Sequence, residues 1–212
     1  MARITEREQL IFDIATAEWD FFQLVENTGG RASCQDDPDT FFKMRMSQWM
    51  AYSDEVLKSY WTDLERAAEE GRNPIFEKYG RMMETAYPEE YARMKGQLPQ
   101  VSKEKAEQVE RIVKIHLKWD RQMMEQYPNI RKNGRVMITR DDSAYEGISM
   151  ESYLRCELMT FSDQTVELIF RETMKAFDQG ENLLKAIIQN ETAFYGYADL
   201  EEAEAAHAGK EA

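Results

Sequence analysis

Apolar residues along this chain return every three or four positions, and the pattern breaks where a glycine, a proline or a capping residue intervenes. Leu10, Ile14, Ala17, Phe21 and Leu24 recur at helical spacing behind Thr5 and Glu8, which form an S/T-x-x-E box, and Gly29-Gly30 stops the run. The spacing predicts a first helix over residues 5–27. Pro38 suits the first turn of a second helix carrying Phe42, Met46 and Trp49 on one face, with a break near Ser53 before a third amphipathic helix that reaches Glu70 and Gly71. Asn73-Pro74 pairs a cap with a first-turn proline and opens a helix to Ala86, and "YPEEYARMKGQLP" reads as a short helix closed by Gly96 and Pro99. Ser102 begins a long helix in which Val109, Ile112, Val113, His116, Trp119 and Met123 keep the period as far as Tyr127-Pro128, making it the expected central element of the core.

Residues 128–148 lack helical periodicity, and "RVMITR" within them reads as a short strand or an extended loop. Ser149 and Ser152 then precede one helix through "ESYLRCELMTFSDQTVELIFRETMKAF" to Gly180, followed by a last helix through "NLLKAIIQNETAF". The acidic, alanine-rich tail from Asp199 is expected as a frayed helix or a solvated segment. These elements predict an all-α fold: a single-domain antiparallel bundle of six to eight helices over residues 1–198, with one irregular loop near 128–148 and a tail over 199–212.

Charge narrows the choice of partner. Forty acidic against 27 basic residues give a net charge of −13 over 212 residues, a field that repels phosphate backbones and anionic headgroups and so argues against a nucleic-acid partner. With 42% hydrophobic residues the chain can still pack a core, so the acidity belongs to the surface. No apolar run approaches the ~20 residues of a membrane helix, which argues against a membrane partner. Two cysteines without C-x-x-C spacing and the polar start "MARITEREQ" point to the cytoplasm. A small-molecule ligand is the expected partner, and thirteen methionines on amphipathic helices leave room for a homodimer or a partner protein.

Several ionisable residues fall on the apolar stripes. Glu18 lies under Ile11, Ile14, Phe22 and Val25; Arg45 sits between Phe42 and Trp49; His116 and Asp120 stand one turn apart; Glu157 lies between Leu154, Leu158 and Phe161. A buried charge must pair, hold a metal or shift its pKa. One reading is an ion-pair core in which Arg45 neutralises Glu18 and Arg155 or His116 neutralises a neighbouring acid. The other is a polar cavity, where Glu18 and Glu157 transfer protons, His116 oriented by Asp120 acts as base, and Arg31, Arg45 and Arg155 hold an anionic group. No metal site is expected: Glu-x-x-His pairs are absent, and His116 and His207 are the only imidazoles. The residues name no cofactor.

The loop "NTGGRASCQDDPDT", residues 27–40, carries more chemistry than a turn needs. Arg31 and a following helix terminus favour the Cys34 thiolate, while Asp36 and Asp37 oppose it. As a nucleophile Cys34 would need His116 as its base; otherwise it is a small thiol anchoring the loop. Gln35 and Asp36 are the loop's further ligand-binding candidates. Its glycines match neither a P-loop nor a dinucleotide fingerprint.

The segments "EWDFFQLVENTGGRASCQDD", "MRMSQW" and "ESYLRCELMTFSDQT" together resemble the signature of an uncharacterised bacterial family, a domain of unknown function spanning nearly the whole chain. The resemblance implies that the Cys156 position is often glycine in relatives, which weakens any Cys34–Cys156 redox pair. It also implies an alternative role, that of a noncatalytic helical accessory module beside a nucleotidyltransferase-like protein.

Overall fold

Side chains at the helix starts set most element boundaries in this protein. The computed structural model describes residues 4–26, 30–132, 134 and 148–209, with the backbone alone at 85 and 86. Thr5 caps α1 (Glu6–Gln23) through the predicted box: the Glu8 amide donates to Thr5 Oγ1 at 3.2 Å and the Thr5 amide to Glu8 Oε2 at 2.8 Å. A 3-10 turn (Ser33–Asp36) leads to α2 (Pro38–Met50), capped by Asp37. Ser53 caps α3 (Asp54–Glu69), and Asn73 caps α4 (Pro74–Ala86). The short α5 (Pro88–Met94) precedes α6 (Lys103–Gln126), which begins at Ser102, and α7 (Pro128–Arg131) follows it. The remaining elements are α8 (Met150–Leu158), α9 (Asp163–Asp178), α10 (Leu183–Phe194) and α11 (Leu200–Ala208). Gly71 and Gly180, at φ 65° and 73°, end α3 and α9 in the left-handed conformation that only glycine adopts cheaply.

The described residues are helical without strands, as expected, but they form eleven α-helices rather than six to eight. Three elements account for the excess. Pro128 starts α7 as a separate element, because it lacks an N–H to continue α6, and the segment expected as a tail carries α11. The helix expected to run through to Gly180 is also broken: Ser162 caps α9, and Asp63 Oδ2 accepts from the Ser162 amide at 2.9 Å and from Thr165 Oγ1 at 2.7 Å, so the turn is held from α3. "RVMITR" lies outside the described residues.

α6 is the central element, packed against α8, α9 and α10, while α1 lies on α2, α3 and α4. Ile14, Trp49, Leu57, Tyr60, Val109, Ile112, Leu158 and Ile169 join these helices in the main core. At the far end of α6, Met123, Tyr127, Ile188 and Leu200 form a second cluster. The acidic tail carries α11, docked through Leu200 and Ala203. Its Glu204 carboxylate accepts from the Asn129 and Ile130 amides, both at 2.9 Å, and so caps α7.

Candidate functional site

Arg45 is 5% exposed and Glu18 is fully enclosed, on stripes that turn them toward each other across the α1–α2 packing. Arg45 Nε donates to Glu18 Oε2 at 2.7 Å and Nη2 to Oε1 at 2.5 Å. Its Nη1 donates to Gln48 Oε1 and to Glu157 Oε1, both at 2.9 Å. Glu157 also accepts from Gln48 Nε2 at 2.9 Å and from Lys78 Nζ at 3.2 Å. Lys78 Nζ donates a second bond to Tyr153 Oη at 2.9 Å, and Glu18 is completed by Tyr60 Oη at 2.9 Å and Trp49 Nε1 at 3.3 Å. Two cations and two carboxylates thus close a buried, electrically neutral network drawn from α1, α2, α3, α4 and α8.

The titration behaviour follows from this pairing. Burial alone would raise the Glu157 pKa; Arg45 and Lys78 more than reverse it and hold the carboxyl at about 2. Burial likewise opposes the charged forms of Arg45 and Lys78, yet neighbouring acids and tyrosines leave both above their ordinary values. Tyr60 is pushed well above the ordinary tyrosine range, first by burial and then by the Glu18 charge.

A cleft of about 150 Å³ opens beside the network, with Arg45, Lys78 and Tyr153 on its polar side and Cys34, Asp37 and Thr40 from the loop and the start of α2 on its lip. Aromatic rings also line it: Phe22 and Phe41 stack at 5.5 Å with planes 12° apart, and Tyr79 lies 6.0 Å from Phe22. Lys78 Nζ stands 4.5 Å from the Tyr153 ring centroid and 5.5 Å from that of Tyr79, both of which line the cleft.

The structure places the sequence candidates in three groups. Glu18, Arg45 and Glu157 are joined in the network, with Cys34 exposed at the neighbouring cleft. The loop residues mainly fasten the loop. Gln35 is 1% exposed, its Nε2 donating to the Phe22 and Val25 carbonyls at 2.9 and 3.0 Å, which satisfies the open end of α1. Arg31 donates to Asp36 Oδ1 at 2.8 Å, to the Gln35 carbonyl at 2.7 Å and to Gln23 Oε1 at 2.5 Å. The third group lies apart: among the described residues, Arg155, His116 and Asp120 neither line the cleft nor bond to the network. Arg155 pairs with Glu110 at 2.6 Å and Glu151 at 2.5 Å. His116 is buried against the edge of Trp119, its Nε2 lacks a hydrogen bond, and burial lowers its pKa to about 4. Asp120 Oδ1 and Arg131 Nε form an ion contact at 2.7 Å without hydrogen-bond alignment; burial raises the Asp120 pKa and Arg131 only partly offsets it.

Lys78, Tyr153, Gln48 and Tyr60 were not among the sequence candidates. A signal existed for Lys78, which lies between Ile75 and Met82 on the buried stripe of α4. Among the described residues no group of three or more histidine, cysteine or acidic side chains is arranged to hold a metal ion, and no helix is long and apolar enough to cross a membrane.

Residues 8–205 match the family described as "Protein of unknown function (DUF4125)". The chain belongs to the DUF4125 family. No curated protein and no solved structure gives a significant match. In this DUF4125 chain the Arg45 network and the cleft beside it bring buried charge and open space together.

Proposed function

We propose that this DUF4125 protein binds a small molecule in the cleft lined by the aromatic rings of Phe22 and Phe41 and by the polar side chains of Arg45, Lys78 and Tyr153. The observation that carries the reading is the cleft itself, since a purely structural ion-pair core needs no recess with a buried ammonium along it. Glu157, held at about 2, is a poor proton acceptor near neutral pH, so the reading assigns binding rather than proton transfer. Two free cysteines, Cys34 exposed and Cys156 buried, support a reducing, cytoplasmic setting.

One observation favours a second reading, the noncatalytic accessory module: each charge in the network already has an internal partner. Native mass spectrometry of protein purified from its own host separates the two. A stoichiometric small molecule that is lost in a Phe41→Ala variant supports the binding protein. An apo mass accompanied by a stoichiometric partner polypeptide overturns it in favour of the module.

A further inference from the structure

Resting on the cleft as a ligand site, we propose that its occupant is an uncharged, single-ring aromatic or heteroaromatic molecule with one hydrogen-bond-accepting oxygen, its ring against Phe41 and its oxygen on Lys78. Size sets the first limit. A cavity of about 150 Å³ holds one ring, the scale at which apolar protein cavities take up benzene. Shape sets the second, because the Phe22–Phe41 stack and Tyr79 offer flat faces against which another ring packs in offset or edge-on contact.

The polar side then fixes the head group. An ammonium has three protons to donate, and Lys78 commits two, to Tyr153 Oη at 2.9 Å and to Glu157 Oε1 at 3.2 Å. Its third proton is left for an acceptor, and Lys78, buried in the protein but lining the cleft, can take one only from what occupies the cleft. Charge decides which acceptor. Arg45 and Lys78 already cancel Glu18 and Glu157, so a carboxylate or phosphate would leave one buried negative charge without a counter-ion. Asp37 on the lip and a chain charge of −13 oppose the anion further. A ligand ammonium meets the opposite obstacle, with Lys78 and Arg45 both on the polar side. A carboxamide or ring carbonyl supplies the acceptor and leaves the network neutral.

The test uses the full chain with methyl-labelled methionine and four probes of nearly equal size: benzamide, benzoate, benzylammonium and toluene. Met44 lines the cleft, and its methyl resonance reports occupancy. Benzamide is expected to shift that resonance saturably and to bind about tenfold more tightly than benzoate, benzylammonium or toluene. Its binding is expected to vanish in Met44→Trp, which fills the cleft from a half-exposed position; this variant lacks the Met44 reporter, so its binding is followed on the ligand by saturation-transfer NMR and its fold is checked by the remaining methionine methyl resonances. Benzoate or benzylammonium binding as tightly as benzamide overturns the inference about ligand class while leaving the cleft as a ligand site, and so does toluene matching benzamide. If no probe moves the Met44 signal, or if benzamide binds Met44→Trp unchanged, the cleft reading falls as well.

Discussion

Arg45 and Glu18 meet fork to fork, Nε to Oε2 at 2.7 Å and Nη2 to Oε1 at 2.5 Å, with side-chain exposures of 6% and 0%. Removing Glu18 leaves Glu157 alone to face both Arg45 and Lys78, with one buried positive charge in excess. Glu18→Gln is expected to destabilise the protein by about 3 kcal/mol, read as a lower urea midpoint at unchanged m-value. The double replacement Glu18→Leu with Arg45→Met should recover part of the loss, because Glu157 keeps Lys78 as its counter-ion. A double-mutant cycle with coupling below about 1 kcal/mol would show that the fork contributes little.

Acid stability should depend on two groups in adjoining windows. Glu157 titrates near 2 in the folded protein against an ordinary 4.5, so its contribution is present above pH 4.5 and is lost as pH falls toward 2. His116 is buried neutral with a pKa of about 4 against 6.5; the unfolded chain binds the proton first, and stability falls as pH drops from 6.5 to 4. Each window corresponds to roughly 3 kcal/mol. Asp120, with its raised pKa, acts in the opposite direction just above its ordinary 3.8. Unfolding of a His116→Leu variant, followed by urea between pH 7 and 4, should show the flatter profile; an unchanged slope across that range would rule out His116 as its source.

The two thiols should react on different timescales. Cys34 is exposed, whereas Cys156 is 7% exposed and burial pushes its pKa up to about 11. Titration with a chromogenic disulfide at pH 8 is expected to release one equivalent quickly and the second only on denaturation. Cys34→Ser should abolish the fast phase, and its survival would mean that Cys156 is open to solvent.

The α8–α9 break depends on Asp63, which accepts from both the Ser162 amide and Thr165 Oγ1. Asp63→Ala is expected to cost about 1–2 kcal/mol, lowering the melting temperature by about 2–8 °C. Amide exchange at Ser162 and Thr165 should accelerate with it. A variant that melts like the unchanged protein would leave Ser162 alone as the determinant of the break.

Periodicity made the long helices legible, and it also picked out Glu18, Arg45 and Glu157, since an ionisable residue on an apolar stripe is an anomaly visible without a structure. It could not show which stripes face one another. Arg155 shares α8 with Glu157 but points toward Glu110, and His116 with Asp120 lies toward Trp119 and Arg131 instead of the cleft. Lys78 escaped notice because α4 is recognised from its Asn73-Pro74 start alone, without its buried stripe being traced. The break at Ser162 was hidden for a related reason: one of its determinants, Asp63, lies 99 residues away. Contacts at that range leave no local pattern to read.

The order in which Arg45 acquires its partners has a consequence for synthesis. Glu18 precedes it by 27 residues, so an emerging chain can assemble the fork from α1 and α2 alone. Glu157 follows Arg45 by 112 residues and Lys78 by 79. Until α8 leaves the ribosome, Lys78 has no carboxylate from α8 to receive it, and sealing α4 onto α1 would bury a bare ammonium. The contact of α4 with α1 is therefore expected to close late, once the acid on α8 has been made.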